Sequence, residues 1–372
     1  MAALIVSFCA GGVSFGGGCG CKEKATPFSE FAKVTLLGNF TVAGASAFGR
    51  GGTVELELSD IPSTGWPVEA YLFWAAQADA LDEFADITLI TPSQETVQIS
   101  GQVWGWDCSD CWATNYNVLW WADVTQWVSE NGTYTLTGFA SLGNAVPGVN
   151  GFTLVVIYCD TAQDNAKRTV SIWAGDIALG HGGGPSSTSW TQTGFKASRP
   201  LRDAKASLTI SEVQDGFPNY ATFNDNFIQY FYGISPWEHY QVWVGNVTAW
   251  MSGGDTSATW YVERGEAKAW DCIAPVLSII SVTTNEEETF SCALGVKESA
   301  SCGSVRFKGV RGGALVFGRP GSKLSVEVYE PSGRLVRQVD VQLGSDGKGF
   351  VSLERGVWLL RAGRFSGKAL VR

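Results

Sequence analysis

The chain has 372 residues, of which 45% are hydrophobic and only 17% charged, with 45 Gly, 16 Trp and 20 Phe. That apolar content excludes a disordered chain, and glycine combined with aromatic residues favours strands and tight turns over helices. The net charge of −10 is uneven, because residues 303–372 hold 13 Lys and Arg against 5 Asp and Glu. These basic residues are spaced singly rather than clustered, so no nucleic-acid partner is expected. The change in charge predicts a domain boundary at residue 303.

Residues 2–16, AALIVSFCAGGVSFG, are small and apolar. This composition is typical of the core and end of a signal peptide, although the basic start is missing. It is also typical of a strand that one subunit donates to the sheet of another. The run is too short and too rich in glycine for a transmembrane helix, so no membrane span is expected. Residues 1–30 are therefore expected to hold this segment and an irregular lead-in to the fold.

A series of strands is predicted next. TVELEL at 53–58 alternates apolar and acidic residues, as a strand with one buried face does. FTLVVIY at 152–158 is a continuous apolar run, which is expected of a strand buried on both faces. Further strands are predicted at AYLFWAAQ (70–77), ADITLITP (85–92), ETVQISG (95–101) and TVSIWAG (169–175). The fold class is therefore expected to be all-β.

The chain contains an internal repeat. LWWADVTQWVSENGT at 119–133 aligns with VWVGNVTAWMSGGDT at 242–256, and in this alignment Asp123 corresponds to Asn246. In each copy the D/N-V-T-x-W segment is expected to form a helical turn, capped by Asp123 or Asn246, with its tryptophan closing the end of a sandwich. The repeat predicts two β lobes, residues 31–165 and 166–302, in a duplicated jelly-roll or β-sandwich region.

The repeated region resembles a known type of domain. AYLFWAAQ, ADVTQWV, NGFTLVVIYCD, NVTAWM and WDCIAPVLSII carry the resemblance, over about residues 35–285. Their pattern of strands and tryptophans is similar to that of a family of duplicated β-sandwich surface-protein domains of unknown function in secreted bacterial and archaeal chains. The resemblance implies a secreted, β-rich module without a known reaction.

The last part of the chain resembles a more specific family. KLSVEVYEPSGRLVRQV, followed by GKGFVSLERGVWLLRAGRFSGKALVR, is similar to the C-terminal sorting domain of type IX secretion cargo. The usual Asn-Pro opening is absent, and Trp358 stands where tyrosine is common. The resemblance implies a small Ig-like sandwich at 303–372 and export by that route. An ordinary Ig-like stability module with the same strand plan is the open alternative.

No catalytic signature is present. His181 and His239 lie in no recognised motif. LGHGGGP at 179–185 is similar to the glycine-rich oxyanion loop of esterases, but the chain has no G-x-S-x-G elbow, so a loop connection is expected there. The acidic residues mostly flank turns or alternate out of strands. A glycosidase would need two carboxyl groups at a fixed separation, which a sequence does not reveal. The protein is therefore not expected to be an enzyme.

No cofactor is expected either. Asp160, Asp164 and Asp225, in CDTAQDN and FNDNF, are the weak candidates for a calcium ion that stiffens a loop. Neither segment matches an EF-hand loop, and residues that form turns are the simpler interpretation.

Nine cysteines are typical of a secreted chain rather than a reduced cytosolic one. Cys108 and Cys111 form a Cys-x-x-Cys pair in WDCSDCW, without the second pair or the histidines that zinc requires. They are expected to close a small loop by a disulfide. Among the other candidates, Cys159 is expected to pair with Cys272, and Cys292 with Cys302.

Together these features predict an extracellular or cell-surface structural protein. It is expected to assemble with copies of itself, as a filament or a surface layer, through pairing of β-strands. The alternative is an adhesin that binds surface glycans, whose sugar rings would stack on exposed tryptophans. The candidate tryptophans are Trp104, Trp106, Trp112 and Trp121. They favour the alternative if they line one open face.

Overall fold

The structure is a computed structural model. It describes residues 25–109, 112, 114–143, 146–160, 162, 166–180, 185–214, 218–231, 238–265, 272–290 and 292, and in the last part residues 306–310, 313–317, 323–330, 335–344, 348–353, 356–362 and 365–371. The chain divides into two compact units, residues 1–292 and 293–372. The division lies ten residues before the boundary inferred from the charge.

The described part of the first unit consists of strands and one short 3-10 helix at Thr248–Trp250. The strands are β1 (Thr26–Ser46), β2 (Thr53–Leu58), β3 (Gly65–Ala78), β4 (Asp86–Ile90), β5 (Thr96–Ser100), β6 (Gln102–Cys108), β7 (Tyr116–Asp123), β8 (Gly132–Thr137), β9 (Gly148–Asp160), β10 (Lys167–Asp176), β11 (Ser187–Thr193), β12 (Ala204–Ser211), β13 (Asn219–Phe223), β14 (Asn226–Phe231), β15 (Tyr240–Asn246), β16 (Ser257–Glu263) and β17 (Ala274–Thr283).

Two four-stranded outer sheets have the same internal order. The first outer sheet runs β2-β8-β4-β5, and the second outer sheet runs β11-β16-β13-β14. In both, the strand after the D/N-V-T segment, β8 or β16, is the second in the sheet. The predicted duplication is therefore present in the topology as well as in the sequence.

Two inner sheets share the long strand β1. Its residues 38–46 pair with β9 in the first inner sheet, ordered β6-β7-β3-β9-β1. Its residues 26–37 pair with β10 in the second inner sheet, ordered β1-β10-β17-β12-β15. The strand thus passes from one inner sheet to the other near Gly38. A Cβ at Gly38 would lie 1.9 Å from the carbonyl oxygen of Tyr158, so only glycine fits at the crossing.

The sheets stack as four layers with three apolar cores. The core of the first lobe, around Trp74, Trp120 and Tyr134, lies between the first outer and first inner sheets. The core of the second lobe, around Trp260 and Leu208, lies between the second inner and second outer sheets. A third core fills the space between the two inner sheets. It includes Phe73, Ile157, Ile172, Ile279 and Tyr240.

The strands predicted from hydrophobic pattern are confirmed. TVELEL forms β2 with alternating burial, and FTLVVIY lies in β9, which is buried along its whole length. The continuous apolar run is explained by the layers, because both faces of β9 carry a core.

The lead-in was predicted wrongly, because β1 starts at Thr26 inside it. Residues 26–37 are ordered by pairing with β10, and Phe28 stacks on Trp190 with ring centroids 3.8 Å apart. Since these residues belong to the second inner sheet, a cut at residue 165 does not separate the two lobes.

The two D/N-V-T segments form the same turn. Asp123 Oδ1 accepts a hydrogen bond from the Thr125 backbone N–H at 2.9 Å, and Asn246 Oδ1 accepts one from the Thr248 N–H at 2.9 Å. Each segment's tryptophan packs, half-buried, against the core of its own lobe. The expected turn is present in both copies, since the backbone N–H of Trp127 donates to Val124 O and that of Trp250 to Val247 O, each at 2.9 Å. Only the second copy forms a 3-10 helix, and its N-cap is Val247 without a side-chain capping bond, so the expected capping by Asn246 is wrong.

The second unit has seven described strands in two antiparallel sheets. They are β18 (Arg306–Val310), β19 (Gly313–Phe317), β20 (Lys323–Tyr329), β21 (Leu335–Gln342), β22 (Lys348–Ser352), β23 (Gly356–Ala362) and β24 (Phe365–Val371). The sheets run β18-β19-β22 and β21-β20-β23-β24, and one core contains residues from both, among them Val316, Val326 and Val351. This is the small sandwich that the sequence predicts. Gly333, Arg334 and Arg372 lie outside the described residues.

Candidate functional site

An open groove of about 680 Å³ lies on the surface of the first unit. It is lined by the end of β1, by β14 and by the start of β15. The lining residues are Gly44, Ala45, Ser46, Arg50, Phe227, Ile228, Gln229, Tyr230, Glu238, Tyr240, Gln241 and Val242. A smaller concavity of about 370 Å³ shares Ala45, Ser46 and Arg50 with it and continues along β2.

Two edge strands border the groove. Within the described residues, β14 pairs only with β13, and β15 pairs only with β12. Each strand therefore has one side whose backbone N–H and C=O groups are not used by a neighbouring strand of the described chain. An edge of this kind can pair with an added strand.

The groove carries exposed aromatic rings. Phe227 and Tyr230 of β14 are 50% and 54% exposed, and their ring centroids lie 5.0 Å apart. Val244 of β15 is 40% exposed. The two rings in contact, Phe227 and Tyr230, form the exposed apolar patch of the groove, and such patches mark interaction sites more often than scattered single residues do. Sequence reasoning missed this site, because β14 was not among the predicted strands and NFIQYF gives no sign of which face lies open.

The close packing of the inner sheets positions the floor of the groove. A Cβ at Gly44 would lie 2.2 Å from Val242 Cγ2, and a Cβ at Gly151 would lie 2.2 Å from Tyr240 Cγ. Glycine at both positions lets β15 lie directly on β1 and β9. The Tyr240 hydroxyl also forms a hydrogen bond with Thr153 Oγ1 at 2.9 Å, and burial raises the pKa of this phenol well above its ordinary range.

The four candidate tryptophans do not form one open face. Trp104 and Trp121 pack around Phe31 in the core between the inner sheets, with ring centroids 5.1 and 4.8 Å from the Phe31 ring. Trp106 packs against the core of the first lobe, edge-on to Tyr116 at 5.4 Å. The reason for the division is that the two faces of β6 and β7 contact different cores.

Trp112 is also half-buried, with its ring 6.0 Å from that of Phe48 and its indole nitrogen inside the protein. All four tryptophans are partly buried, and they pack against different parts of the first unit rather than side by side. The condition stated for the adhesin alternative is not met by these residues.

A disulfide joins Cys159 to Cys292. The expected pairings of Cys159 with Cys272 and of Cys292 with Cys302 are therefore wrong, because each cysteine forms one disulfide. Spacing along the chain misled the prediction: the end of β9 lies beside the residues that follow β17. Cys108 and Cys272 each take part in a disulfide as well. Cys111 and Cys302 lie outside the described residues.

The two described calcium candidates, Asp160 and Asp225, lie in different parts of the first unit. Asp160 Oδ1 accepts hydrogen bonds from Thr64 Oγ1 at 2.7 Å and from the Ala162 N–H at 3.1 Å, at the end of β9. Asp225 is exposed in the tight turn between β13 and β14, where it and Asn224 both have positive φ. Asp164 lies outside the described residues. Within the part of the chain that the structure describes, no group of three His, Cys, Asp or Glu side chains is arranged to hold a metal ion.

A buried polar cluster that the sequence analysis did not identify crosses the space between the inner sheets. Gln77 Nε2 donates hydrogen bonds to Asn117 Oδ1 at 3.1 Å and to Glu212. Asn117 Nδ2 in turn donates to Asp176 Oδ1 at 2.7 Å. Gln77 and Asn117 belong to the first inner sheet, whereas Asp176 and Glu212 lie on or beside strands of the second. The signal in the sequence was a polar residue at the end of an apolar strand, as in AYLFWAAQ.

The acids of this cluster are held as structural groups. Asp107 accepts hydrogen bonds from the backbone N–H groups of Cys108 at 2.7 Å and Ala178 at 2.8 Å. Burial, with added repulsion from Asp107 and Glu212, raises the pKa of Asp176 well above its ordinary value. Burial thus disfavours the charged form of this carboxyl group, whose other contact is the amide of Asn117.

His239 is packed rather than presented to solvent. Its ring stacks on Phe48 with centroids 3.6 Å apart, and its backbone N–H donates to Ser46 Oγ at 3.1 Å. His181 lies outside the described residues. No helix in the described ranges has the length and apolar character needed to cross a membrane.

No family model and no curated protein matches the chain. Among solved structures, it is similar to a β-glucuronidase from Lactobacillus rhamnosus at 8% identity and a TM-score of 0.22, over 50% of this chain and 36% of that one. A β-glucuronidase from Ruminococcus gnavus in complex with D-glucaro 1,5-lactone gives 12% identity and a TM-score of 0.20, over 56% of this chain and 37% of that one. The chain thus spans little more than a third of either enzyme, and a likeness at this level carries no argument about activity.

Proposed function

We propose that the protein is a secreted or cell-surface structural protein that assembles with copies of itself through β-strand pairing. The observation that carries the proposal is the groove between the open edges of β14 and β15, with Phe227 and Tyr230 exposed beside it. Main-chain bonds at such an edge supply affinity, and the neighbouring apolar rings add buried area.

The rest of the first unit supports a structural role. Its four layers are filled by large aromatic side chains, and the acids between the inner sheets are bonded to backbone or amide groups. The disulfide between Cys159 and Cys292 supports an oxidising compartment, since structural disulfides are rare in the cytosol. The resemblance of residues 303–372 to sorting domains of type IX secretion cargo agrees with that location, and export by that route is part of the proposal.

The oligomeric state of the full-length chain tests the proposal. Light scattering after size-exclusion chromatography should give a mass that rises with concentration, and electron micrographs should show filaments or sheets. The variant Phe227→Lys/Tyr230→Lys should lose this association because it places two charges in the groove. Val103→Lys is the matched control, since Val103 is 40% exposed on β6, the edge strand of the other inner sheet. A wild-type protein that stays monomeric at all concentrations would contradict the proposal.

Glycan binding is the second candidate function, and one observation favours it. Phe227 and Tyr230 present ring faces beside the polar side chains of Arg50, Gln229 and Glu238. A glycan array probed with wild type and with Phe227→Lys/Tyr230→Lys separates the two functions. Binding that is lost in the variant, from a protein that is monomeric throughout, would favour the adhesin.

A further inference from the structure

The two lobes differ at one strand position. β7 and β15 are counterparts, because the repeat aligns residues 119–133 with 242–256. In the first lobe β7 is covered by β6, which pairs with it from Gln102↔Trp121 to Cys108↔Tyr116. In the second lobe no strand of the described chain pairs with the corresponding side of β15. The groove lies at this uncovered edge.

Chain length explains the difference. Residues 101–115 connect β5 to β7 and contain β6, whereas residues 232–239 connect the counterpart strands β14 and β15. The second connection is shorter by seven residues, which is the length of β6. The described part of the second lobe therefore contains no counterpart of β6.

We infer that this position beside β15 accepts a strand from a second copy of the chain, and that residues 2–16 of that copy provide it. The inference rests on the proposed function and names its donor and its acceptor. Residues 2–16 contain no charged side chain, so they can lie against Phe227, Tyr230 and Val242 without burying an unpaired charge. Their most apolar part, ALIVSF at 3–8, is close in length to the seven residues of β15.

Geometry favours a second copy over the chain's own segment. The groove adjoins Gly44, whereas residues 2–16 enter the fold through Thr26, at the other end of β1. Eighteen residues of strand separate Thr26 from Gly44, which is about 59 Å along the strand at ~3.3 Å per residue. Seventeen residues, 9–25, separate ALIVSF from Thr26, and a glycine-rich chain of that length has a root-mean-square end-to-end distance of roughly 21–25 Å. The same segment of a neighbouring molecule can reach the groove without spanning the length of β1.

A two-component experiment on the full-length chain tests the inference. The donor-defective variant is Leu4→Lys/Val6→Lys, and the acceptor-defective variant is Phe227→Lys/Tyr230→Lys. Each variant alone should be monomeric by light scattering. Their mixture should form a dimer and nothing larger, since one partner keeps a working groove and the other a working segment. Circular dichroism and thermal melting of each variant confirm folding, and Val103→Lys should assemble as wild type does.

The outcomes separate this inference from the proposed function. If the donor-defective variant assembles like wild type while the acceptor-defective variant does not, copies associate at the groove but residues 2–16 are not the donor, and the inference is overturned alone. If the mixed variants stay monomeric, the pairing is overturned as well. A wild-type protein that never associates would contradict both the inference and the proposed function. Loss of glycan binding in the acceptor-defective variant, with its assembly unchanged, would overturn the inference in favour of the adhesin.

Discussion

Asn117 Nδ2 donates a hydrogen bond to Asp176 Oδ1 across 2.7 Å, and this bond joins the two inner sheets inside the protein. Asp176 is fully buried, and within the described residues its other carboxylate oxygen has no hydrogen-bond partner. Burial between the two sheets makes the charged form of such a carboxyl group more costly than its neutral form.

The stability of the protein should therefore depend on the protonation of Asp176. Burial, together with Asp107 and Glu212, raises the pKa of this carboxyl group above the ordinary 3.8, so the native state keeps a proton that the unfolded chain releases. The contribution of this protonation to the unfolding free energy is complete below about pH 4, and it is lost as the pH rises through the pKa of the native state. Across that pH range, wild type should lose unfolding free energy through this group and Asp176→Asn should not. The difference in unfolding free energy between the two proteins should therefore shift in favour of the variant.

Denaturant unfolding of both proteins at a series of pH values measures this difference. Asp225→Asn is the control, because Asp225 is exposed in a turn that asparagine also favours. A difference between wild type and Asp176→Asn that is constant with pH would contradict the raised pKa.

The disulfide between Cys159 and Cys292 should contribute strongly to stability. It closes a loop with a sequence separation of 133 residues and ties the end of β9 to the residues after β17. Replacing both cysteines by alanine should lower the unfolding free energy by about 2–5 kcal/mol, mainly through the greater entropy of the unfolded chain. Urea unfolding of the double variant measures this. An unchanged midpoint would show that the core between the inner sheets holds these segments without the bond.

The duplicated turns offer a matched pair of substitutions. Asp123→Ala and Asn246→Ala each remove the side-chain acceptor for the N–H two residues on, in the same turn of each lobe. Each should cost about 1 kcal/mol of unfolding free energy. Asp123→Asn keeps the acceptor and should be near wild type. Asn246→Asp also keeps it but removes the Nδ2 that donates to Asp203 Oδ1 at 3.3 Å and places two carboxylates together, so it should lose stability. Losses of very different size in the two lobes would mean that the turns are not energetically equivalent.

Close approach of the inner sheets should make Gly151 intolerant of a larger residue. A Cβ there would lie 2.2 Å from Tyr240 Cγ, so Gly151→Ala must displace the ring or the strand and should cost about 1–3 kcal/mol. The same substitution in a Tyr240→Ala background should cost less, because the obstructing ring is gone. Thermal unfolding of the four proteins in this double-mutant cycle gives the coupling. If the losses of the two single variants simply added in the double variant, the cost of Gly151→Ala would not come from the Tyr240 ring.

Much of the fold could be predicted from local pattern. The alternation in TVELEL and the uninterrupted run FTLVVIY indicate one buried face and two buried faces, and β2 and β9 show these burial patterns. The repeated D/N-V-T segment predicted both the turn and the duplication, because this turn is a local structure whose hydrogen bond spans two residues.

The groove beside β14 and β15 was not predicted, because it depends on long-range pairing. Periodicity does not distinguish an edge strand from a central one, so β14 and β15 gave no sign of their open sides. The tryptophans misled for a related reason, since a half-buried ring in the core between the sheets and an exposed platform have the same residue type.

The sequence by itself determined that the chain is all-β, that its first region is duplicated and that a second small sandwich follows. These properties arise from side-chain alternation, turn residues and repetition, which act between neighbours in the chain. Only the tertiary structure decided that β1 belongs to both inner sheets, that Cys159 pairs with Cys292 and that no described strand covers β15 as β6 covers β7. Each of these depends on residues far apart in sequence meeting in space, and their pairing is set by how four layers pack on one another.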